Sequence, residues 1–223
     1  MVYLTGFADA GLVFDGKNQQ SRADSAEETL RAVRKCAGRR QPAGRGNTMK
    51  ELKEYVRTIP DYPEPGIMFR DVTSVLGDAD GLHLAIDEMM KKVGDPDDVD
   101  VIVGTESRGF IFGMPIAYNL HKPFVLVRKK GKLPCETISR TYDLEYGTAT
   151  IEMHKDSIKP GQRVVVVDDL IATGGTIEAA IKMIEELGGK VVRAVFLMEL
   201  AGLDGREKLK GYDVESVICY EGK

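Results

Sequence analysis

The chain has 223 residues, 30% of them charged, with a formal net charge of −4 and three cysteines. That length suffices for one good-sized α/β domain, and the acidic balance argues against nonspecific nucleic-acid binding by the whole chain. No apolar run reaches the ~18 residues of a membrane span and no signal-peptide core opens the sequence, so no membrane partner is expected. Cys36, Cys135 and Cys219 are far apart and form no C-x-x-C pair. That pattern suggests neither a disulfide framework nor a zinc site and fits a reducing cytoplasm. The three histidines are unclustered, which argues against a His-based metal site.

Residues 1–48 differ from the rest. They hold eight Lys and Arg against five Asp and Glu, whereas the remainder holds 23 against 30. Stretches such as QQSRADSAEE and GRRQPAGRGNT are polar, with little apolar surface to dock a short helix near Ser25 to Cys36. The expectation is a poorly ordered extension, or a mis-set start ahead of Met49, followed by one domain over residues 49–223. Lys50 to Thr58 is amphipathic and predicts a short helix. Three prolines within the six residues 60–65 cannot continue it. Phe69-Arg70-Asp71 then falls in extended chain. An aromatic beside an Arg can stack on a flat base and bond its edge; the alternative is that Phe69 is plain core.

Gly81 to Val93 shows a helix face. Val99 to Val103 reads as a buried strand, ending in Gly104-Thr105-Glu106-Ser107-Arg108 before an apolar helix to about Leu120. Arg108, at the tip of that corner, is either an anion grip or a surface salt bridge. Pro123 to Val127 is a third strand running into Arg128-Lys129-Lys130-Gly131-Lys132. Its four cations in five residues form either an anion site or a solvated face. CETISRTYDLEYG and the alternating TATIEMH suggest a β-ribbon able to close over a site and exclude water.

The most informative stretch is Arg163 to Thr176, RVVVVDDLIATGGT. Val164 to Val167 read as a strand buried on both faces, and Asp168 and Asp169 should mark its carboxyl end, where open α/β sheets bind ligands. Ala172-Thr173-Gly174-Gly175-Thr176 then leads into a helical pattern. Backbone amides at such a helix start suit a phosphate, and the two threonines add hydroxyls. A phosphate cup beside paired carboxylates is what a phosphorylated sugar requires. Walker and dinucleotide fingerprints are both missing. Lys190 to Leu200 is another buried strand, Gly205 to Lys210 a short helix and Val214 to Tyr220 a last strand at an edge. Strands alternating with helices predict an α/β fold with a central, mainly parallel sheet and its site at the carboxyl edge.

The apolar run, two acids, two residues and A-T-G-G-T together resemble the phosphoribosyl pyrophosphate motif of type I phosphoribosyltransferases. P-D-Y-P-E-P-G-I-M-F-R-D-V-T resembles the hood of the adenine phosphoribosyltransferases in that family. The likeness spans Met49 to about Tyr220. It implies the type I fold with a small hood and a mobile β-ribbon loop, acting on adenine and phosphoribosyl pyrophosphate to give AMP and pyrophosphate. Asp168 and Asp169 would hold the ribose hydroxyls, and Ala172, Thr173, Gly174, Gly175 and Thr176 the 5-phosphate. Arg108, Arg128 and Lys132 would receive pyrophosphate, with an unusual backbone bend at Glu106 and Ser107. Phe69 would stack on the base, Arg70 would contact its edge and Leu200 would cover it. Y-D-L-E-Y-G resembles the family's mobile catalytic loop, which makes Glu145 the handler of the N7 proton with Tyr146 beside it. The resemblance further implies Mg²⁺ carried mainly by the substrate and a homodimer. Two other readings are a related enzyme acting on hypoxanthine, guanine or xanthine, and a regulator that binds phosphoribosyl pyrophosphate with residues 1–48 as a DNA-contacting arm. The hood pattern argues against the first; the lack of two amphipathic helices joined by a tight turn argues against the second.

Overall fold

The structure is a computed structural model that describes residues 50–143 and 147–222. The proposed extension over 1–48, Met49, Glu145 and Tyr146 lie outside the described residues. A short helix α1 (Leu52–Tyr55) leads into a two-stranded antiparallel hood, β1 (Arg57–Pro60) and β2 (Met68–Asp71). After α2 (Thr73–Leu76) and α3 (Ala79–Val93), the chain alternates through β3 (Val101–Thr105), α4 (Arg108–Asn119) and β4 (Phe124–Lys129). The ribbon β5 (Thr137–Asp143) and β6 (Thr148–His154) comes next. It is followed by β7 (Arg163–Ile171), α5 (Gly175–Glu186), β8 (Lys190–Leu200), α6 (Gly205–Lys208) and β9 (Val214–Tyr220).

Seven strands form one sheet in the order β5-β6-β4-β3-β7-β8-β9. β4, β3, β7, β8 and β9 run parallel, and the ribbon is antiparallel at one end. The valine run of β7 is buried on both faces, as its composition predicts. Val165 and Val167 pack with Phe112 and Ile116 of α4 and Met89 of α3, while Val164 and Val166 pack with Ala180, Ile181 and Ile184 of α5. The sheet is thus covered by helices on both sides, which pushes polar function to its rims.

Two expectations need correction. The predicted helix over Lys50 to Thr58 stops at Tyr55, because Arg57 and Thr58 are claimed by the hood ladder, opposite Asp71 and Arg70. Tertiary pairing overrides the local helical pattern here. Asp168 and Asp169 do not end their strand: β7 continues to Ile171, because the eleven-residue β8 supplies partners as far as Glu199.

The hood is fastened at Asp71, which is buried. Its Oδ1 accepts from the Thr73 hydroxyl at 2.6 Å and the Thr73 amide at 2.9 Å, and its Oδ2 accepts from Nε of Arg57 at 3.1 Å. The Thr73 hydroxyl, followed by Arg57, holds this carboxyl at about 2 against an ordinary 3.8. A depressed carboxyl contributes stability that is complete above the ordinary value and lost as pH falls through the folded one. Asp71→Asn should therefore lower Tm at neutral pH, on the order of the 2–4 °C that about 1 kcal/mol gives a domain of this size. The gap to wild type should close between pH 3.8 and about 2. Thermal melts across that range check it.

Candidate active site

β3 stops at Thr105, and its last pairing with β7 is Gly104 opposite Val167. β7 and β8 run on together. The residues beyond Val167 therefore keep a neighbour on one side only, and the space vacated by β3 becomes a cavity of about 700 Å³. Thr105, Glu106, Ser107, Arg108, Asp168, Asp169 and Thr176 line it, with Lys129 and Lys130 on the β4 side and Tyr142, Thr150 and Ile151 from the ribbon. This is the size range of small-molecule sites.

Side chains alternate along a strand, so Asp169 shares the α4 face with Val167, while Oδ1 of Asp168 still reaches the start of α4, 2.9 Å from where a Cβ on Gly109 would stand. Arg108, the first residue of α4, donates from Nε to Oδ2 of Asp169 at 2.6 Å, and Asp169 is 5% exposed. The Asp169 amide donates to Oδ1 of Asp168 at 2.9 Å. Burial, then the neighbouring Asp169 charge, pushes the Asp168 carboxyl well above its ordinary value, against a lowering from the Thr105 hydroxyl. A cavity-facing acid of this kind is poised to accept hydrogen bonds and favour positive charge.

The next strand end supplies the opposite sign. The Glu106–Ser107 peptide is cis, at the place where an unusual bend is expected. Oε2 of Glu106 accepts from the Lys129 amide at 3.0 Å and from Nε of Arg128 at 3.1 Å. Burial alone would raise the Glu106 carboxyl, but these partners hold it below its ordinary value. Nη1 of Arg128 also reaches the Lys132 carbonyl at 3.2 Å, and the Lys132 amide donates to Glu152 at 2.9 Å. Arg128 thus braces the β3 and β4 corners, while Lys129 and Lys130 line the cavity itself.

The glycine-rich loop follows β7. Gly174 caps α5 in the left-handed region at φ 78°, and the helix begins at Gly175. Its first-turn amides lack intrahelical partners, the condition for anion binding. The Thr176 hydroxyl donates to the Tyr142 hydroxyl at 2.9 Å, tying the loop to the ribbon.

Of the predicted hood and strand-end residues, Arg70 and Leu200 meet at Tyr220, the last residue of β9. Phe69 meets Tyr62 edge-on with ring centroids 5.2 Å apart. Arg70 donates to the Thr58 hydroxyl, and its guanidinium lies 4.0 Å from the Tyr220 ring centre. Leu200 is paired opposite Tyr220. Phe69, Arg70 and Leu200 are not part of the cavity wall, which carries the cations Arg108, Lys129 and Lys130 beside the two acids. Sequence reasoning overlooked Thr105 and Tyr142. Both were visible as a strand-end hydroxyl and an alternating ribbon position, but only the fold brings them to the acids. Among the described residues, no group of three or more His, Cys, Asp or Glu side chains is placed to hold a metal ion.

Residues 75–221 match the family described as the phosphoribosyl transferase domain, and the loop, acids and sheet edge just described lie within them. An adenine phosphoribosyltransferase of Agathobacter rectalis is 73% identical over 175 residues, covering 78% of this chain and 100% of that protein. The crystal structure of adenine phosphoribosyltransferase from Thermoanaerobacter pseudethanolicus superposes with a TM-score of 0.73 at 52% identity, covering 78% of this chain and 100% of that one. The Saccharomyces cerevisiae enzyme, solved with an imino-altritol bisphosphate and adenine, gives 0.69 at 39% identity over 73% of this chain and 94% of that one. The chain belongs to the adenine phosphoribosyltransferases, a branch of the phosphoribosyltransferase family.

The loop's geometry makes a direct prediction. Gly174 and Gly131 have similar backbones, φ 78° and 81°. A Cβ at Gly131 would meet open space, whereas one at Gly174 would lie 2.5 Å from the Gly205 carbonyl oxygen. Gly131→Ala should cost about 1 kcal/mol of strain, and Gly174→Ala roughly 1–3 kcal/mol more, because backbone cannot yield as a side chain does. Denaturant unfolding of the two variants side by side tests the difference.

Proposed function

We infer that the chain transfers the 5-phosphoribosyl group of phosphoribosyl pyrophosphate to adenine, giving AMP and pyrophosphate, a pentosyltransferase reaction of purine salvage. The observation that carries this reading is one cavity wall shared by the Asp168–Asp169 pair, Arg108 and Thr176 of the first turn of α5. The 5-phosphate takes the amides and hydroxyls of residues 172–176. Ribose hydroxyls donate to the two carboxylates. As the bond from C1 to the pyrophosphate oxygen lengthens, positive charge builds on the ribose ring and the carboxylates stabilise it. The electron pair leaves with pyrophosphate, which Arg108 receives through its remaining N–H donors, with Arg128, Lys132 and the cavity-lining Lys129 and Lys130 adding positive potential. N9 of adenine forms the new bond to C1, and the N7 proton passes to Glu145 of the loop between β5 and β6, with Tyr146 beside it. Phe69 stacks on the base, Arg70 reads its edge and Leu200 covers it.

Mg²⁺ binds through one or two carboxylates together with substrate phosphates. Asp168 and Asp169, the paired carboxylates of the cavity wall, fit that demand, with the substrate carrying most of the ion's ligands. When bound, the ion neutralises charge on the pyrophosphate. None of the described helices is long and apolar enough to cross a membrane. Among the described residues Cys135 and Cys219 form no disulfide, and a reducing cytoplasm is the proposed location.

Pyrophosphate release from phosphoribosyl pyrophosphate, with adenine, hypoxanthine, guanine and xanthine in parallel, should appear with adenine alone and stop when Mg²⁺ is chelated. Release with another base would overturn the reading of the hood. Binding without release for any base would replace the enzyme with a regulator.

The proposal includes a homodimer. Ile111, Met114 and Tyr118 recur along one stripe of α4 at 41%, 52% and 82% exposure, and Leu126 on β4 is 36% exposed. An apolar stripe at helical spacing left open to water is an interaction surface. Met114→Glu combined with Tyr118→Glu should halve the sedimenting mass while the circular dichroism spectrum stays that of the folded chain.

A further inference from the structure

The reaction as derived leaves one buried ion pair unused. Glu199, the penultimate residue of β8, is 6% exposed. Arg206, in the first turn of α6, grips it with two parallel bonds, from Nε to Oε1 at 2.6 Å and from Nη2 to Oε2 at 2.7 Å. The Ser216 hydroxyl donates to the same Oε2 at 2.7 Å, and Nη1 of Arg206 donates to the Val214 carbonyl at 2.7 Å. Three short bonds therefore fix the arginine to two neighbouring strands, and a fourth ties its glutamate to the second of them. The Arg206 hydrogen bonds, first of all, hold the Glu199 carboxyl below its ordinary value.

The residue before Arg206 explains why such a clamp matters. A Cβ at Gly205 would lie 2.2 Å from the Ala172 carbonyl oxygen and 2.9 Å from Cγ1 of Ile171. The Gly205 carbonyl in turn faces Gly174. Backbone meets backbone on both sides, an approach that only glycine permits. The segment Ala172–Gly174 therefore rests on Gly205 as on a floor, and the position of that floor is set by its neighbour.

We propose that the Arg206–Glu199 pair is the positioning device of the phosphate loop, pinning Gly205 under Ala172 and Gly174 so that the loop keeps the shape that receives the sugar 5-phosphate. Both residues act through the loop and touch no substrate. The inference rests on the reading of residues 172–176 as the 5-phosphate site. An isolated fold-stabilising pair would weaken all ligands alike as the protein loosened; a positioning pair weakens one subsite.

The test uses the full chain and ribose 5-phosphate as the probe, followed by calorimetry, with KM for phosphoribosyl pyrophosphate and for adenine measured alongside. Arg206→Met should raise the Kd of ribose 5-phosphate and the KM of phosphoribosyl pyrophosphate about tenfold or more, the scale on which remote misplacement acts. The KM of adenine should stay within about twofold, and Arg206→Lys should recover part of the loss. Ser216→Ala removes one bond of the clamp and should show the same split on a smaller scale; it serves if Arg206→Met does not fold. Unchanged ribose 5-phosphate affinity in folded Arg206→Met, or equal losses for sugar phosphate and base, overturns the proposal. Failure of the wild-type protein to bind ribose 5-phosphate overturns the phosphate-loop reading itself, and this inference with it.

Discussion

Two adjacent carboxylates within a strand buried on both faces are costly to keep. Desolvation and their mutual repulsion both oppose charge there. The fold tolerates them because β7 passes the end of β3 and so opens one flank of the acids to the cavity, while β8 still satisfies the backbone on the other. Arg108 then supplies a counter-charge to Asp169 from the first turn of α4. Asp168 keeps a raised carboxyl in compensation. The length difference between two neighbouring strands is thus what turns a sheet edge into a site.

Once that edge is open, each nearby element contributes a group that its own composition has prepared. The A-T-G-G-T turn brings amides and hydroxyls because its glycine adopts a left-handed backbone. The β3–α4 corner brings a cation because its helix begins on an arginine. The ribbon brings Tyr142 because its alternation faces one side of each strand inward, and the Thr176–Tyr142 bond ties that wall to the loop. Charge separates along the edge: acids in the middle, cations toward β4, and an aromatic and arginine cluster toward β9.

Much of this was readable from local pattern. A run of four valines and a glycine-rich turn define a strand and a helix start by themselves, and both are found there, whereas the two acids expected to end the strand lie inside it, two residues short of Ile171. The ribbon and the last strand, Val214 to Tyr220, follow from alternation and composition and are found at those residues. What local pattern misses is contact at long range. The hood strand β1 takes Arg57 and Thr58 from an apparent helix because Asp71 and Arg70 lie across from them. The cationic run could not be divided into bracing and cavity-lining members, since that depends on Glu106, more than twenty residues earlier, accepting from Arg128. Gly205 reads as an ordinary helix start until Ala172 is seen against it. Function-bearing loops are placed by such contacts, so they are the last part of a site to become legible.

The Arg108–Asp169 pair suggests how the site's electrostatics change as it fills. Without an anion the guanidinium neutralises the more buried acid, which keeps two carboxylates together. In the proposed reaction the pyrophosphate offers Arg108 a stronger partner, because a doubly or triply charged anion outweighs a single carboxylate at similar distance. About half of the Arg108 side chain is exposed and the residue lines the cavity, so this second contact needs no movement of α4. In the proposed reaction Arg108 keeps its Nε bond to Asp169 and turns its remaining N–H donors to the pyrophosphate. Its charge is then shared between the two anions, which leaves Asp169 less fully neutralised as the ribose hydroxyls donate to it and the ring becomes positive. In that reading one arginine serves both states, lowering the cost of the paired acids before substrate binds and dividing its charge once the leaving group is in place.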